Sequence, residues 1–255
     1  QIHLVIGCTT MPGYCDDLAK RLEQYNYTVS YNPEFIAQGD IIRNQLYPDQ
    51  VLIGEANETT GDLIEEVFTQ LCENKPVYCR MSRLSAEIAK IATNCFLTTK
   101  ISFANSIGDL AIKVGAEPEK ILRAIGADSR IGNKYLSYGF GFGGPCFPRD
   151  NKALGLFARN NDYALLLSEA TDEINKRHLA FQLQDYLDTY SEDEKIVFDG
   201  ITYKKGSLLL DESQQFALAL LLAKAGRKVV LRDQEVVLTA IKKEYGNLFD
   251  YEPNP

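Results

Sequence analysis

Residues 130–150 read R-I-G-N-K-Y-L-S-Y-G-F-G-F-G-G-P-C-F-P-R-D and hold the densest chemistry of the chain. Cys146 stands directly before a helix start expected at residues 148–150. A helix N-terminus favours a thiolate and Arg149 would push the same way, which is how a nucleophilic cysteine is prepared. Glycines at 139, 141, 143 and 144 permit positive φ and close backbone approach to a ligand. Phe140, Phe142 and Phe147 offer flat apolar surface for a base or a sugar. Taken alone, the same stretch also reads as a glycine-rich loop around a small buried cysteine, since free cysteine is among the most buried residue types.

Other reactive side chains are spaced to act with it. Lys90 and Asn94 stand at i and i+4, so one helix face carries both, and a cation beside an amide donor suits a developing oxyanion. Glu34 follows Asn32 and Pro33 in a turn and could act on a water molecule. Asp150, four residues past Cys146, could hold Lys90 or the same water. Each has an ordinary alternative: a solvated lysine, a surface asparagine, an exposed glutamate, an aspartate at a helix start.

These residues need elements to position them. Ile2–Ile6 reads as a buried strand, residues 16–25 as a helix, 51–53 as a strand and about 61–72 as a helix. Thr59 and Asp62 have the spacing of a capping box. This is α/β patterning. From Leu84, apolar residues recur at helical spacing for some thirty residues, ending near Gly115. Pro118 opens a further helix at its first turn, and helical patterns return over 151–188. Strands over 195–198 and 228–231, with a helix over 212–224 between them, start a second α/β unit of about sixty residues, too few for a complete doubly wound domain.

Composition bounds the function. The 255 residues are 45% hydrophobic and 24% charged, with a formal net charge of −8, which argues against a nucleic-acid partner. Six cysteines without a C-x-x-C pair and only two histidines make a zinc site or other metal centre and a secreted disulfide framework poor fits. Reduced thiols in the cytoplasm are the simplest account. The longest apolar run is far short of the roughly 20 residues a bilayer requires, so no membrane partner is expected.

Four ordered segments carry a family resemblance. The loop over 141–150 resembles G-F/Y-G-G-S-C-F/L-x-K-D of the UDP-glucose/GDP-mannose dehydrogenase family, preceded by the similar I-G-A-D-S-R-I-G over 125–132. C-T-T-M-P over 8–12 resembles that family's S-T-V-P turn. N-P-E-F-I-A-Q-G over 32–39, followed by P-D-Q-V-L-I-G over 48–54, resembles N-P-E-F-L-x-E-G…P-D-R-V-V-I-G. The stretch over 86–97 resembles A-E-x-x-K-x-x-x-N-x-F-L. Together the four are highly specific, and they span roughly residues 2–210.

The resemblance implies an α/β fold in three parts. These are a Rossmann-like N-terminal part over 1–80, truncated relative to the family, a central all-helical dimerisation domain over 81–190 with the cysteine loop, and a partial Rossmann-like, nucleotide-sugar-binding domain over 191–255. It implies an NAD-dependent four-electron oxidation of a nucleotide sugar, UDP-glucose to UDP-glucuronate for polysaccharide synthesis, through a Cys146 thiohemiacetal and thioester. Lys90 and Asn94 would stabilise oxyanions, Glu34 would activate water, and Asp150 and Thr10 would organise it. Substrate would meet Glu34, Phe35, Ile36, Ala37 and Gln38, then Lys90, Asn94 and Ile101. It would also meet Tyr135, Leu136, Ser137, Gly139, Phe142 and Gly143 in the loop, with Phe147 and Lys204. NAD would meet Thr9, Thr10, Gln38, Cys146 and Arg149. Arg130 matches a residue that reaches into a neighbouring subunit's site, which implies a homodimer or larger assembly. GDP-mannose 6-dehydrogenase and a non-catalytic homologue keeping the helical dimer core are the alternatives.

The sequence departs from the family in places. The G-x-G-x-x-G unit that cradles pyrophosphate is absent, with about a hundred residues missing by comparison, and is read as a truncation. Asp211 falls where the family usually has an arginine that contacts the cofactor. Pro145, Arg149 and Gln38 replace serine, lysine and glutamate.

Overall fold

The computed structural model describes residues 2–36, 40–204 and 206–254. It divides into two compact units, residues 1–94 with 153–165 and residues 95–152 with 166–255.

In the first unit, β1 (Ile2–Ile6), α1 (Tyr14–Leu22), β2 (Tyr27–Tyr31), α2 (Ile41–Leu46), β3 (Gln50–Glu55), α3 (Glu58–Leu71) and β4 (Val77–Ser82) follow one another. The strands form one sheet in the order β1-β2-β3-β4. β1 and β2 run parallel, as do β3 and β4, while β2 meets β3 antiparallel at Tyr31 and Gly54. Side chains alternate across the sheet, so the consecutive apolar residues of β3 serve two cores. Leu52 packs with Cys15, Val29, Tyr31 and Ala86 on one face, and Val51 and Ile53 pack with Ile64 on the other. β1 is the sheet's edge rather than a fully buried strand: Ile2 and Val5 are exposed.

The cap of α3 lies two residues earlier than the Thr59 and Asp62 spacing implies. Asn57 Oδ1 accepts from the Thr60 N–H at 3.0 Å and Thr60 Oγ1 accepts from the Asn57 N–H at 3.2 Å. An asparagine in extended backbone satisfies the amide of the third helical residue, Thr60, whose hydroxyl reciprocates.

α4 (Arg83–Lys113) follows. It spans roughly 46 Å at 1.5 Å per residue, and its residues up to 94 belong to the first unit and those from 95 to the second. The second unit continues with α5 (Pro118–Gly126), the glycine-rich loop, α6 (Phe147–Arg159) and α7 (Leu166–Thr189). Pro118 is at the first turn of α5, where its missing N–H has no partner to lose. A three-stranded parallel sheet then forms from β5 (Lys195–Asp199), β6 (Lys228–Asp233) and β7 (Asp250–Pro253), with α8 (Gln214–Lys224) and α9 (Glu235–Tyr245) in the connections. Its core joins Ile196, Phe198, Leu218, Leu222, Leu231 and Ile241.

Candidate active site

In the first unit the residues expected to act gather around α4. The turn after β1 carries Thr9 and Thr10 and leads into α1, whose N-terminal amides lack a side-chain cap of their own. Glu87 of α4, with 0% of its surface exposed, takes that role from 74 residues away. Its carboxylate accepts from Thr10 Oγ1 at 3.0 Å, from the Gly13 N–H at 2.6 Å and from the Cys15 N–H at 2.9 Å. A carboxylate at a helix N-terminus satisfies free amides and matches the positive end of the dipole. Burial, then Glu87, push the Cys15 thiol up to about 12.

One turn further along α4, Lys90 is only 6% exposed. Its ammonium donates to the Glu34 carbonyl at 2.5 Å and sits 4.0 Å from the centre of the Phe35 ring. A cation shielded in this way is poorly hydrated, so it acts at close range far more strongly than a solvated lysine. The turn it meets is anchored by Asn32, whose side chain donates to the Leu52 carbonyl at 2.9 Å, and by the Glu34 N–H on the Gly7 carbonyl at 3.2 Å. The Glu34 carboxylate is exposed and accepts from Gln45 at 3.4 Å. Asn94 is half-buried, one turn past Lys90, and Ile36 is half-buried beside Phe35. Ala37 and Gln38 lie outside the described residues.

In the second unit Cys146 is exposed, and its carbonyl accepts the Asp150 N–H at 2.8 Å, the first hydrogen bond of α6. The thiol therefore stands at the helix N-terminus, as the sequence implies. Arg149 turns to Asp150 instead, with Nε and Nη2 both 3.0 Å from Oδ1. Asp150 is buried, and its carbonyl lies 3.6 Å from Cys95 Sγ. Tyr203 follows β5, and burial, then the nearby Cys146, push its hydroxyl up.

The glycines have a different purpose from close approach to a ligand alone. A Cβ at Gly141 would run into Asn175, at Gly143 into the Glu212 carbonyl, and at Gly144 into the Tyr203 ring, whereas Gly139 faces open space. Three of the four thus admit neighbouring protein. The segment around Asp211 is one of those neighbours: its carbonyl accepts the Gly144 N–H at 2.9 Å. Asn175 of α7 holds Phe142 by both backbone groups, at 2.9 and 3.0 Å. Phe142 and Leu136 are buried, Phe140 packs against Phe198, and Phe147 meets the exposed Tyr135 edge-on. Ser137 and Lys204 are exposed and Ile101 is half-buried. Arg130 is exposed and its guanidinium pairs with Asp128 at 2.6 Å, holding that carboxyl below the usual range.

Sequence reasoning missed Glu87, Asn105, Asn175 and Tyr203 as supports. Glu87 lay in plain view, three residues before Lys90 on the same helix face. The others act across long sequence separations and carry no local signal.

Residues 2–72 match the UDP-glucose/GDP-mannose dehydrogenase family, NAD binding domain, and residues 84–177 match the central domain of the same family. A UDP-glucose 6-dehydrogenase of Rickettsia bellii (strain RML369-C) is 34% identical over 209 residues, covering 80% of this chain and 48% of that protein. One of Rhizobium meliloti (strain 1021) is 33% identical over 249 residues, covering 94% and 57%. The chain spans about half the length of the curated relatives it matches. Among solved structures, a UDP-glucose dehydrogenase from the archaeon Pyrobaculum islandicum superposes with a TM-score of 0.86 at 28% identity, covering 99% of this chain and 59% of that one.

Proposed function

This chain belongs to the UDP-glucose/GDP-mannose dehydrogenase family, and from that premise we propose that its protein oxidises the primary alcohol of UDP-glucose to the carboxylate of UDP-glucuronate. The observation that carries the reading is Cys146, exposed at the N-terminus of α6 directly after a loop whose backbone is held by helix side chains. An exposed sulfur at a helix N-terminus is placed to act as a nucleophile. It adds to the aldehyde carbon to give a thiohemiacetal, and the thioester that follows is hydrolysed by water from which Glu34 takes a proton. Lys90 and Asn94 stabilise the oxyanions of both stages, and Asp150 and Thr10 orient the water. The loop 135–143, Phe147, Lys204 and residues 34–38 bind the nucleotide sugar.

NAD, when bound, supplies the hydride acceptor, twice per sugar. The turn after β1 fits one edge of such a cofactor: Gly13 has φ 95° with open space at its Cα, Thr9 and Thr10 are half-buried, and Cys8 and Met11 are exposed. Thr9, Thr10, Cys146 and Arg149 would hold that edge. The 255 residues contain no G-x-G-x-x-G for the pyrophosphate.

We read the chain as three parts, 1–80, 81–190 and 191–255, in a cytoplasmic homodimer. Phe96, Phe103, Leu110 and Val114 support the dimer. Phe96, Phe103 and Leu110 are exposed on α4 at spacings of seven residues and Val114 is exposed in the turn just past its end, so they form one apolar stripe for a second copy to cover. Arg130 would reach the second copy's site. Asp211 favours a second reading, a non-catalytic homologue, because it puts a negative charge where a cofactor contact is positive in the family.

The test uses the full-length protein with UDP-glucose and GDP-mannose in turn, following NADH by absorbance, with Cys146→Ser in parallel. Two NADH per UDP-glucose in the wild type, and acid release at least about a thousandfold slower in the variant, is the expected result. Turnover of GDP-mannose instead reassigns the sugar, and no turnover with either sinks the dehydrogenase reading.

A further inference from the structure

We propose that the buried His178, with the half-buried Asp109 behind it, is a positioning device that fixes the peptide groups of Gly139 and thereby sets the affinity of the glycine-rich loop for its ligand. That the ligand is a nucleotide sugar rests on the function proposed above. Neither residue belongs to any motif of the family resemblance, and the reaction as written uses neither.

His178 of α7 is 1% exposed, yet both its ring nitrogens face acceptors. Nδ1 is 2.9 Å from each carboxylate oxygen of Asp109 on α4, and Nε2 is 2.6 Å from the Gly139 carbonyl. A carbonyl oxygen only accepts, so Nε2 donates to Gly139, and the contact of Nδ1 with the Asp109 carboxyl holds the ring in that orientation. The bond to Gly139 is short and shielded from solvent. Gln182 adds a weaker donor to the same carbonyl at 3.3 Å.

The surroundings are built for this pair. The Tyr138 hydroxyl donates to Asp109 Oδ1 at 2.9 Å, and burial, then the Asp109 charge, push that hydroxyl up, so it stays a donor. Its ring packs edge-on to His178 at 5.6 Å and fits only because residue 108 is glycine: a Cβ there would run into it. From the other side, Asn105 Oδ1 accepts the Gly139 N–H at 3.2 Å. Both polar groups of Gly139 are thereby tied to α4 and α7, while its Cα faces open space. It is the one glycine of the four whose Cα no neighbouring protein atom approaches. A ligand can press on its backbone only if that backbone is held still.

A hydrogen-bonded pair of polar side chains between two helices adds little net stability. One aimed at a loop carbonyl is better explained by what it positions.

The experiment compares the full-length wild type with His178→Leu, His178→Gln and Asp109→Asn. The readouts are hydrogen exchange of residues 137–143 and KM and kcat for UDP-glucose. In His178→Leu, loop exchange and KM rise about tenfold while kcat stays within about threefold, the loss of one buried hydrogen bond. His178→Gln can still donate to the Gly139 carbonyl and restores both towards wild type. Asp109→Asn moves both in the direction of His178→Leu, and it decides the matter if the leucine variant does not fold. Folded variants with wild-type loop exchange and KM overturn the proposal and leave the pair a structural contact. If the wild type turns over no nucleotide sugar, the functional reading fails, while loop exchange still decides the clamp.

Discussion

Around α4 in the first unit, buried charge holds the expected site residues. Glu87 gathers three donors of the turn into α1, and Lys90 is spent on the Glu34 carbonyl over the Phe35 ring. Around the loop of the second unit, amide side chains do most of the holding, with His178 beside them. Asn175 and Asn105 each use both ends of one side chain on backbone N–H and C=O groups, and glycines leave the room for them. The difference follows from what each backbone lacks. A helix start presents several donors and no acceptor, which one carboxylate satisfies. An irregular loop presents a donor and an acceptor per residue, which an amide matches and a carboxylate cannot. The first unit is therefore fragile to the loss of a charge, and the second to the gain of an atom.

Glu87→Leu breaks the first half of that comparison most severely. It leaves the Gly13 and Cys15 amides and the Thr10 hydroxyl without their acceptor, and urea unfolding should show a loss of about 3 kcal/mol or more. Gly143→Ala tests the second half. Its methyl meets the Glu212 carbonyl, which belongs to backbone and cannot swing away, so a loss of about 2 kcal/mol is expected. Gly139→Ala, with open space, should stay within about 0.5 kcal/mol. Equal losses at 139 and 143 would show that the loop gives way as a whole.

The two units should respond alike to high pH. Burial pushes Cys15 in the first and Cys95 in the second from 9.0 to about 12. The folded chain keeps these protons longer than the unfolded one, so their contribution is fully present below pH 9 and is lost as pH climbs towards 12. The urea midpoint should fall across that window, and less steeply in Cys15→Ala or Cys95→Ala. A slope unchanged in both variants would remove the thiols as its cause. The smallest effect is at the α3 cap, where Asn57→Ala should lower the thermal midpoint by an amount equivalent to about 1 kcal/mol.

Much of this could be read from the sequence where local pattern and burial coincide. Ile2–Ile6, β3, β5, β6 and the start of α5 follow apolar runs or a proline that fixes φ. β4 and β7 escaped because edge strands carry polar and half-buried residues, as in V-Y-C-R-M-S and D-Y-E-P. α9 carries two valines in its first turn, after Glu235, which favour a strand until Leu238 and Ile241 are seen to share its buried face. In the candidate site the cysteine and its helix start were legible because they are neighbours in sequence. Of the supports only Glu87 was within reach of a spacing rule, three residues before Lys90, although what it holds lies 74 residues away; His178 acts over 69, and no spacing rule reaches that far.

The fit of Gly141 against Asn175 ties two positions into one unit of variation. No side chain can enter at 141 while an asparagine at 175 grips Phe142. In a library randomised at both positions, survivors should carry glycine with asparagine, or change both residues together. Single exchanges should be culled, so the pair drifts as one locus although 33 residues lie between its members.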